Sequence, residues 1–200
     1  MEQPEEHALS KFYEISKDAE PAPIIKRAVE LVENRGTALD LGSGALNEAK
    51  FLLNEGFQKV IAVDKDAQAM QMAQKIDDDR LDFQRTKIEN FYFPENTYDL
   101  VNALWVLSFI KKDQIAEILA KVYRSLKTGG IFSGNFLGSN HQWAESTDNS
   151  ALYTREELRE LLHEFEIIGF GEGEIDRKAI GNPDLTDHMH VIRFLARKSG

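Results

Sequence analysis

Residues 37–65, TALDLGSGALNEAKFLLNEGFQKVIAVDK, constrain the fold more than any other part of the chain. Ala38 to Leu41 is a short apolar run, followed by Gly42 and Gly44. Asn47 begins a segment with Ala49, Phe51, Leu52 and Leu53 at helical spacing, closed by Gly56. Lys59 to Val63 is a second apolar run, and Asp64 stands at its tip. Strand, glycine turn, helix and strand in that order make a parallel β-α-β unit. An open α/β sheet holds a nucleoside ligand at the carboxyl ends of such strands.

The alternation continues on both sides of this unit. Behind Pro21 and Pro23, Ile24, Ile25, Ala28, Val29, Leu31 and Val32 recur at helical spacing, with Asn34-Arg35-Gly36 as the stop. Ala67 to Ile76 reads as a helix and Leu81 to Arg85 as a third strand. Tyr98 to Leu107 is nearly continuous in apolar residues, as a central parallel strand is. Asp113 is the expected cap of a helix carrying Ile115, Ile118, Leu119, Val122, Tyr123 and Leu126 inward. Thr128-Gly129-Gly130 turns the chain into a fifth strand, Ile131 to Leu137, and a polar loop runs from Gly138 to Ser150. Thr154 and Glu157 have capping-box spacing. Phe165 to Ile168 and Val191 to Ala196 close the chain as two β segments, with a polar hairpin excursion, Gly171 to Asp187, between them. The pattern predicts one α/β domain over residues 1–200. Its sheet is Rossmann-like, seven-stranded and mostly parallel with one antiparallel edge strand, and helices cover both faces.

Gly42 and Gly44 let the backbone turn tightly and a ligand lie directly on it. The following helix offers free N–H groups and a positive dipole end. A dinucleotide fingerprint needs a third glycine where Asn47 stands, which argues against a nicotinamide oxidoreductase. Asp40, just before the turn, repels a pyrophosphate but suits a cationic amino-acid group. Asp64, about twenty residues beyond the turn, is placed to accept ribose hydroxyls. Asp66 is the better cap for the next helix, which leaves Asp64 free for a ligand.

These segments resemble the class I S-adenosylmethionine-dependent methyltransferases. ALDLGSGALNE looks like their first motif, VIAVDKD their second, IENFYFPENTYDLVNALWVL their third and fourth, and LKTGGIFSGNFLG the region of their fifth strand. Within that superfamily the chain is similar to small bacterial methyltransferases of the tellurite-resistance-like kind, through NALWVLSF, FSGNFLGSNHQW and HMHVIRFLARK. The resemblance implies S-adenosyl-L-methionine as cofactor. It implies that Asp40, Gly42, Ser43 and Gly44 hold the methionine part and that Asp64 binds the ribose. Lys65 then flanks the adenine, Ile88 and Glu89 lie by its exocyclic amine, and Ala103 and Leu104 line the methionine side. Two departures stand out. Leu46 replaces a common third glycine and narrows the turn, and Lys87 stands where an acidic residue is common. They motivate the rival reading, a non-catalytic cofactor-binding or scaffold domain; protein methylation is a further enzyme alternative.

Methyl transfer from a sulfonium needs in-line geometry and water exclusion rather than a covalent enzyme nucleophile. It needs a base only where the acceptor starts protonated, and no catalytic residue is assigned. Candidate acceptor contacts are Tyr13, Trp143 and His190, with Tyr13 in an extension, 1–22, that covers the cofactor site. His188 and His190 share one face by period two but lack a third ligand, so no metal site is expected. His141 reads as a solvated loop histidine, and Trp105 and Phe109 as core. With 34 acidic residues against 24 Lys and Arg, a net charge of −10 disfavours a nucleic-acid partner and favours a small-molecule substrate. There is no cysteine, and no apolar run is long enough to span a bilayer. The expected location is the cytoplasm. The oligomeric state is left open.

Overall fold

The computed structural model describes residues 13–145, 151–179 and 182–200. Seven strands form one sheet: β1 (Thr37–Leu41), β2 (Lys59–Asp64), β3 (Leu81–Arg85), β4 (Tyr98–Ala103), β5 (Leu126–Leu137), β6 (Phe165–Ala179) and β7 (Asn182–Lys198). Five helices that lie wholly within the described residues accompany them: α1 (Pro23–Leu31), α2 (Asn47–Asn54), α3 (Ala67–Ala73), α4 (Lys112–Ser125) and α5 (Arg155–Leu161). The strand order is β3-β2-β1-β4-β5-β7-β6. β1 to β5 pair in parallel, and β7 pairs antiparallel with both β5 and β6. The antiparallel strand therefore lies one place in from the edge, which β6 forms.

Period-two alternation sends the strand side chains into two cores. Ala38, Val60, Ala62, Leu100 and Ile131 pack with Ile25, Ala28 and Val29 of α1 and with Ala49, Leu52 and Leu53 of α2. Leu39, Leu41, Ile61, Val63, Val101 and Phe132 pack against Ile115, Ile118, Leu119 and Val122 of α4 and Leu158 of α5. The strand order reverses between β1 and β4, and a crevice opens at such a switch point.

Local chemistry moves several expected boundaries. β4 stops at Ala103 rather than Leu107, because Trp105 takes φ +58° and Leu107–Phe109 forms a 3-10 turn. The apolar run continues past the strand because Leu107 and Ile110 are buried in the core. β5 begins at Leu126 rather than Ile131, with a register shift that absorbs the glycine pair. α4 starts at Lys112, so Asp113 sits in its first turn rather than at the cap. There its charge still favours the positive helix end. The capping box of α5 forms as expected, Glu157 N–H donating to Thr154 Oγ1 at 3.2 Å and Thr154 N–H to Glu157 Oε2 at 2.7 Å. Residues 171–179 and 182–187 of the polar stretch belong to one long antiparallel ribbon of β6 and β7. Residues 1–12 of the expected extension and 146–150 of the polar loop lie outside the described residues.

Candidate functional site

The turn after β1 is pinned from below. Gly42 and Ser43 both donate backbone N–H groups to the Val63 carbonyl, at 2.8 and 3.0 Å. Gly42 has φ +68°, and a Cβ there would lie 2.4 Å from Val106 Cγ2. The close approach of the β4 turn thus requires glycine at this point. Leu46 also has a positive φ, +64°, at the head of α2. Its side chain is fully buried in the α1–α2 core. It therefore lies inside the core and does not narrow the turn from the ligand side, as the sequence reading held.

Asp40 and Ser43 are 2% and 4% exposed, so their polar atoms must find partners within the molecule or in a ligand. Asp40 Oδ1 accepts from Asn102 Nδ2 at 2.8 Å, and Asn102 Oδ1 accepts from Ser133 Oγ at 2.9 Å. This chain across β1, β4 and β5 fixes which way the Asn102 amide faces. Asp40 Oδ2 and Ser43 Oγ are left buried without a hydrogen bond of good geometry, although the Ala49 N–H of α2 is near enough to favour the Asp40 carboxylate. Burial, with Glu48 nearby, pushes the Asp40 carboxyl well above its ordinary pKa.

Asp64 is not free, as the sequence reading had it. Its Oδ2 accepts from Gly44 N–H at 2.9 Å and its Oδ1 from Asp66 N–H at 2.9 Å. Asp66 occupies the cap position of α3 without a side-chain cap bond. The Asp64 carboxylate therefore ties the glycine turn to the β2 tip, with lone pairs remaining for a ligand. Burial raises its pKa against those two backbone donors. The strand-β3 exit lies alongside, Thr86 N–H donating to the Asp64 carbonyl at 3.0 Å. Beyond it, Ile88 is buried and Glu89 half-buried in a 3-10 turn, Ile88–Asn90, while Lys65 and Lys87 are exposed. Ala103 and Leu104 are buried at the end of β4.

Tyr13 is 3% exposed and packs on Ala45 and Ala69, its hydroxyl donating to Asp66 Oδ2 at 3.2 Å. The backbone that follows it is held by Asn47, whose Nδ2 donates to the Ser16 carbonyl. The N-terminal segment thus lies against the glycine turn. Desolvation and the nearby Asp64 and Asp66 push the Tyr13 phenol far up, so it stays protonated.

The remaining candidates gather at the β5 exit. His190 is buried, its Nδ1 accepting from Asn140 N–H at 3.1 Å and its Nε2 at 2.9 Å from Glu172 Oε1. Both ring nitrogens are engaged, which makes it a structural histidine. His141 is 2% exposed, not solvated; its Nε2 lies 3.3 Å from Met189 Sδ and its Nδ1 accepts from Trp143 N–H at 3.1 Å. Burial lowers its pKa. Trp143 is half-buried and meets Phe109 edge-on at 5.5 Å. Trp105 and Phe109 are 45% and 66% exposed rather than core, because the tight turn after β4 throws both rings outward. His188 and His190 do share a face, toward Asp176 and Glu172 of β6. Among the described residues no group of metal-ligating side chains is assembled. The side chain of Glu145 lies outside the described residues. Sequence reasoning missed the Asp40–Asn102–Ser133 chain, although the break that Asn102 makes in the apolar run marked it.

Residues 39–133 match the methyltransferase domain family. No curated protein matches the chain. Solved structures similar to it include TehB from Haemophilus influenzae, at TM-score 0.73 and 17% identity, over 96% of this chain and 67% of that one. A S-adenosylmethionine-dependent methyltransferase from Methanosarcina mazei superposes at 0.68 with 17% identity, over 90% and 99%. The 1,6-didemethyltoxoflavin-N1-methyltransferase of Burkholderia thailandensis, bound to 1,6-didemethyltoxoflavin and S-adenosylhomocysteine, superposes at 0.65 with 20% identity, over 100% and 92%. Among the described residues no helix is long and apolar enough to cross a membrane. Residues 39–133 thus resemble the methyltransferase domain family, and the sheet that carries them shares the fold of these solved S-adenosylmethionine-dependent methyltransferases.

Proposed function

We propose that this chain binds S-adenosylmethionine at the switch point between β1 and β4 and transfers its methyl group to a small-molecule acceptor. One observation carries the reading: Asp40 Oδ2 and Ser43 Oγ are buried beside the glycine turn without a hydrogen bond of good geometry. Each orphaned group costs about 1–3 kcal/mol, a penalty that a polar ligand with a cationic amino group offsets. These residues fit the amino-acid end of the cofactor, and Ala103 and Leu104 its methionine side. Asp64 fits the ribose, and Lys65, Ile88 and Glu89 fit the adenine. When bound, the cofactor supplies an electrophilic methyl group on a sulfonium.

The protein's own work is positioning. Ser133 and Asn102 orient Asp40, Asp64 joins the turn to the β2 tip, and Tyr13 packs over Ala45 and Ala69 beside them. Neither His141 nor His190 is placed as a general base, since each ring is buried and engaged. That favours an acceptor which is nucleophilic as it stands. The excess of 34 acidic residues over 24 Lys and Arg supports a small acceptor over nucleic acid. Calorimetry with S-adenosylhomocysteine tests the reading. Binding is expected, and Asp64→Ala weakens it by about ten- to a hundredfold, the effect of losing a charge-assisted hydrogen bond. No heat with the parent protein refutes the proposal; unchanged affinity in Asp64→Ala refutes the ribose assignment. Product formation from labelled cofactor with a panel of small nucleophiles then tests catalysis.

A further inference from the structure

We infer that Trp105 and Arg193 form the acceptor subsite of this crevice and that it takes a planar aromatic carboxylate. The inference rests on the methyl-transfer reading above and names its substrate class. Trp105 follows Ala103 and Leu104 directly, and its neighbour Val106 rests on Gly42. The backbone of Trp105 therefore leaves β4 beside the glycine turn of the proposed cofactor site.

Three observations show that this ring is held in place. Trp105 is 45% exposed, although tryptophan is highly buried on average. Its backbone sits at φ +58°, a conformation that costs a bulky residue free energy and persists where surrounding structure enforces it. The enforcing contact is visible: Trp105 N–H donates to Asn135 Oδ1 at 2.8 Å. Asn135 is in turn the register partner of Arg193 across β5 and β7. The Arg193 guanidinium lies 6.0 Å from the centre of the Trp105 ring. Apart from that ring, the Arg193 guanidinium has no ion pair or hydrogen bond among the described residues, in a chain with 34 acidic side chains. Its other register partner is Gly171, where an added Cβ would meet nothing within 4 Å. No side chain at position 171 covers the strand beside Arg193.

A flat indole face and an unspent guanidinium fork side by side recognise two features of one ligand. An aromatic ring stacks on the indole, and a carboxylate attached to it accepts two parallel N–H bonds from the fork. A neutral aromatic meets only the first demand and a saturated acid only the second. Lysine offers charge without the fork. A pair that merely steadies the turn would show no such double selectivity.

Nuclear magnetic resonance of the full chain with bound S-adenosylhomocysteine reads this directly. The chain has 2 tryptophans, so the Trp105 indole N–H reports the subsite and the Trp143 indole N–H serves as control. Benzoate is titrated against benzamide and cyclohexanecarboxylate. The expected result is a saturable shift of the Trp105 signal, with benzoate binding at least about fivefold more tightly than either control, equivalent to about 1 kcal/mol. Arg193→Gln abolishes the preference for benzoate over benzamide, and Arg193→Lys keeps part of it. Equal affinity for benzoate and benzamide, or a preference that survives Arg193→Gln, overturns the inference. Calorimetry keeps the two readings apart. Normal S-adenosylhomocysteine binding without benzoate selectivity sinks the subsite alone, whereas selectivity in a chain that binds no S-adenosylhomocysteine sinks the methyl-transfer reading and with it the acceptor role of this pair.

Discussion

Leu46 and Leu52 offer an internal comparison for the glycine turn. Both are fully buried, and both belong to the same apolar cluster between α1, α2 and the sheet. They differ in backbone: Leu52 lies inside α2, whereas Leu46 precedes it at φ +64°. Truncation to Ala removes the same atoms at each site and costs about 2–5 kcal/mol, the spread reflecting how well each cavity collapses. The further step from Ala to Gly separates them. In the interior of α2 it costs about 1 kcal/mol more. At position 46 any residue with a Cβ bears about 1–2 kcal/mol of left-handed strain, which Gly releases. The loss of one buried methyl group is common to both sites and cancels. The Ala-to-Gly step at 46 should therefore be more favourable than the same step at 52 by about 2–3 kcal/mol. Urea denaturation of the four single variants, with a common m-value, measures this double difference. An equal penalty at the two positions would show that the backbone at Leu46 is not strained.

Three further outcomes follow from the site. Asp40 is protonated more readily folded than unfolded, so the stability it contributes is fully present below its ordinary 3.8 and is lost as pH rises through the raised folded value. Asp40→Asn should then melt higher than the parent at neutral pH, with the gap closing toward pH 3 in scanning calorimetry, while S-adenosylhomocysteine affinity falls about ten- to a hundredfold. At Gly138 a Cβ would lie 2.2 Å from His190 Nδ1, on a ring fixed by Asn140 and Glu172. Gly138→Ala should cost about 1–3 kcal/mol by denaturant titration, and a neutral result would mean that the ring is loose. The hydrogen bond to Asp176, with Glu174 beside it, raises the pKa of His188 above its ordinary 6.5. Its contribution is present below that value and fades as pH rises through the folded one, so His188→Gln should flatten the decline in melting temperature across that window.

Much of the architecture was legible because glycine turns separate short apolar runs in the first half of the chain. The β1–turn–α2–β2 unit appears where the residue pattern put it, Asn47 opening its helix and Asp64 ending its second strand. Boundaries failed where a single torsion decided them. Nothing in NALWVLSF signals that Trp105 adopts a positive φ, and composition alone made that ring a core residue. His141 looked solvated because it stands in a polar loop, yet Met189 and Trp143 close over it from a distant strand and its own turn. Arg193 was invisible as a site residue, since its significance lies in the missing carboxylate beside it, which only the three-dimensional register reveals.

The outer strand β6 has a consequence beyond the crevice. Fifteen residues long, it leaves one row of backbone amides and carbonyls unpaired by any other strand among the described residues. A bare rim of that length invites a second chain to add itself and start a fibre. Glu166, Glu172, Glu174, Asp176, Arg177 and Lys178 stud this strand, and another copy docking parallel and in register would press like charges together. Ionised carboxylates thus act as a fence against self-association. Acidification takes the fence down, so concentrated stocks should keep best well above the pH at which these groups take up protons.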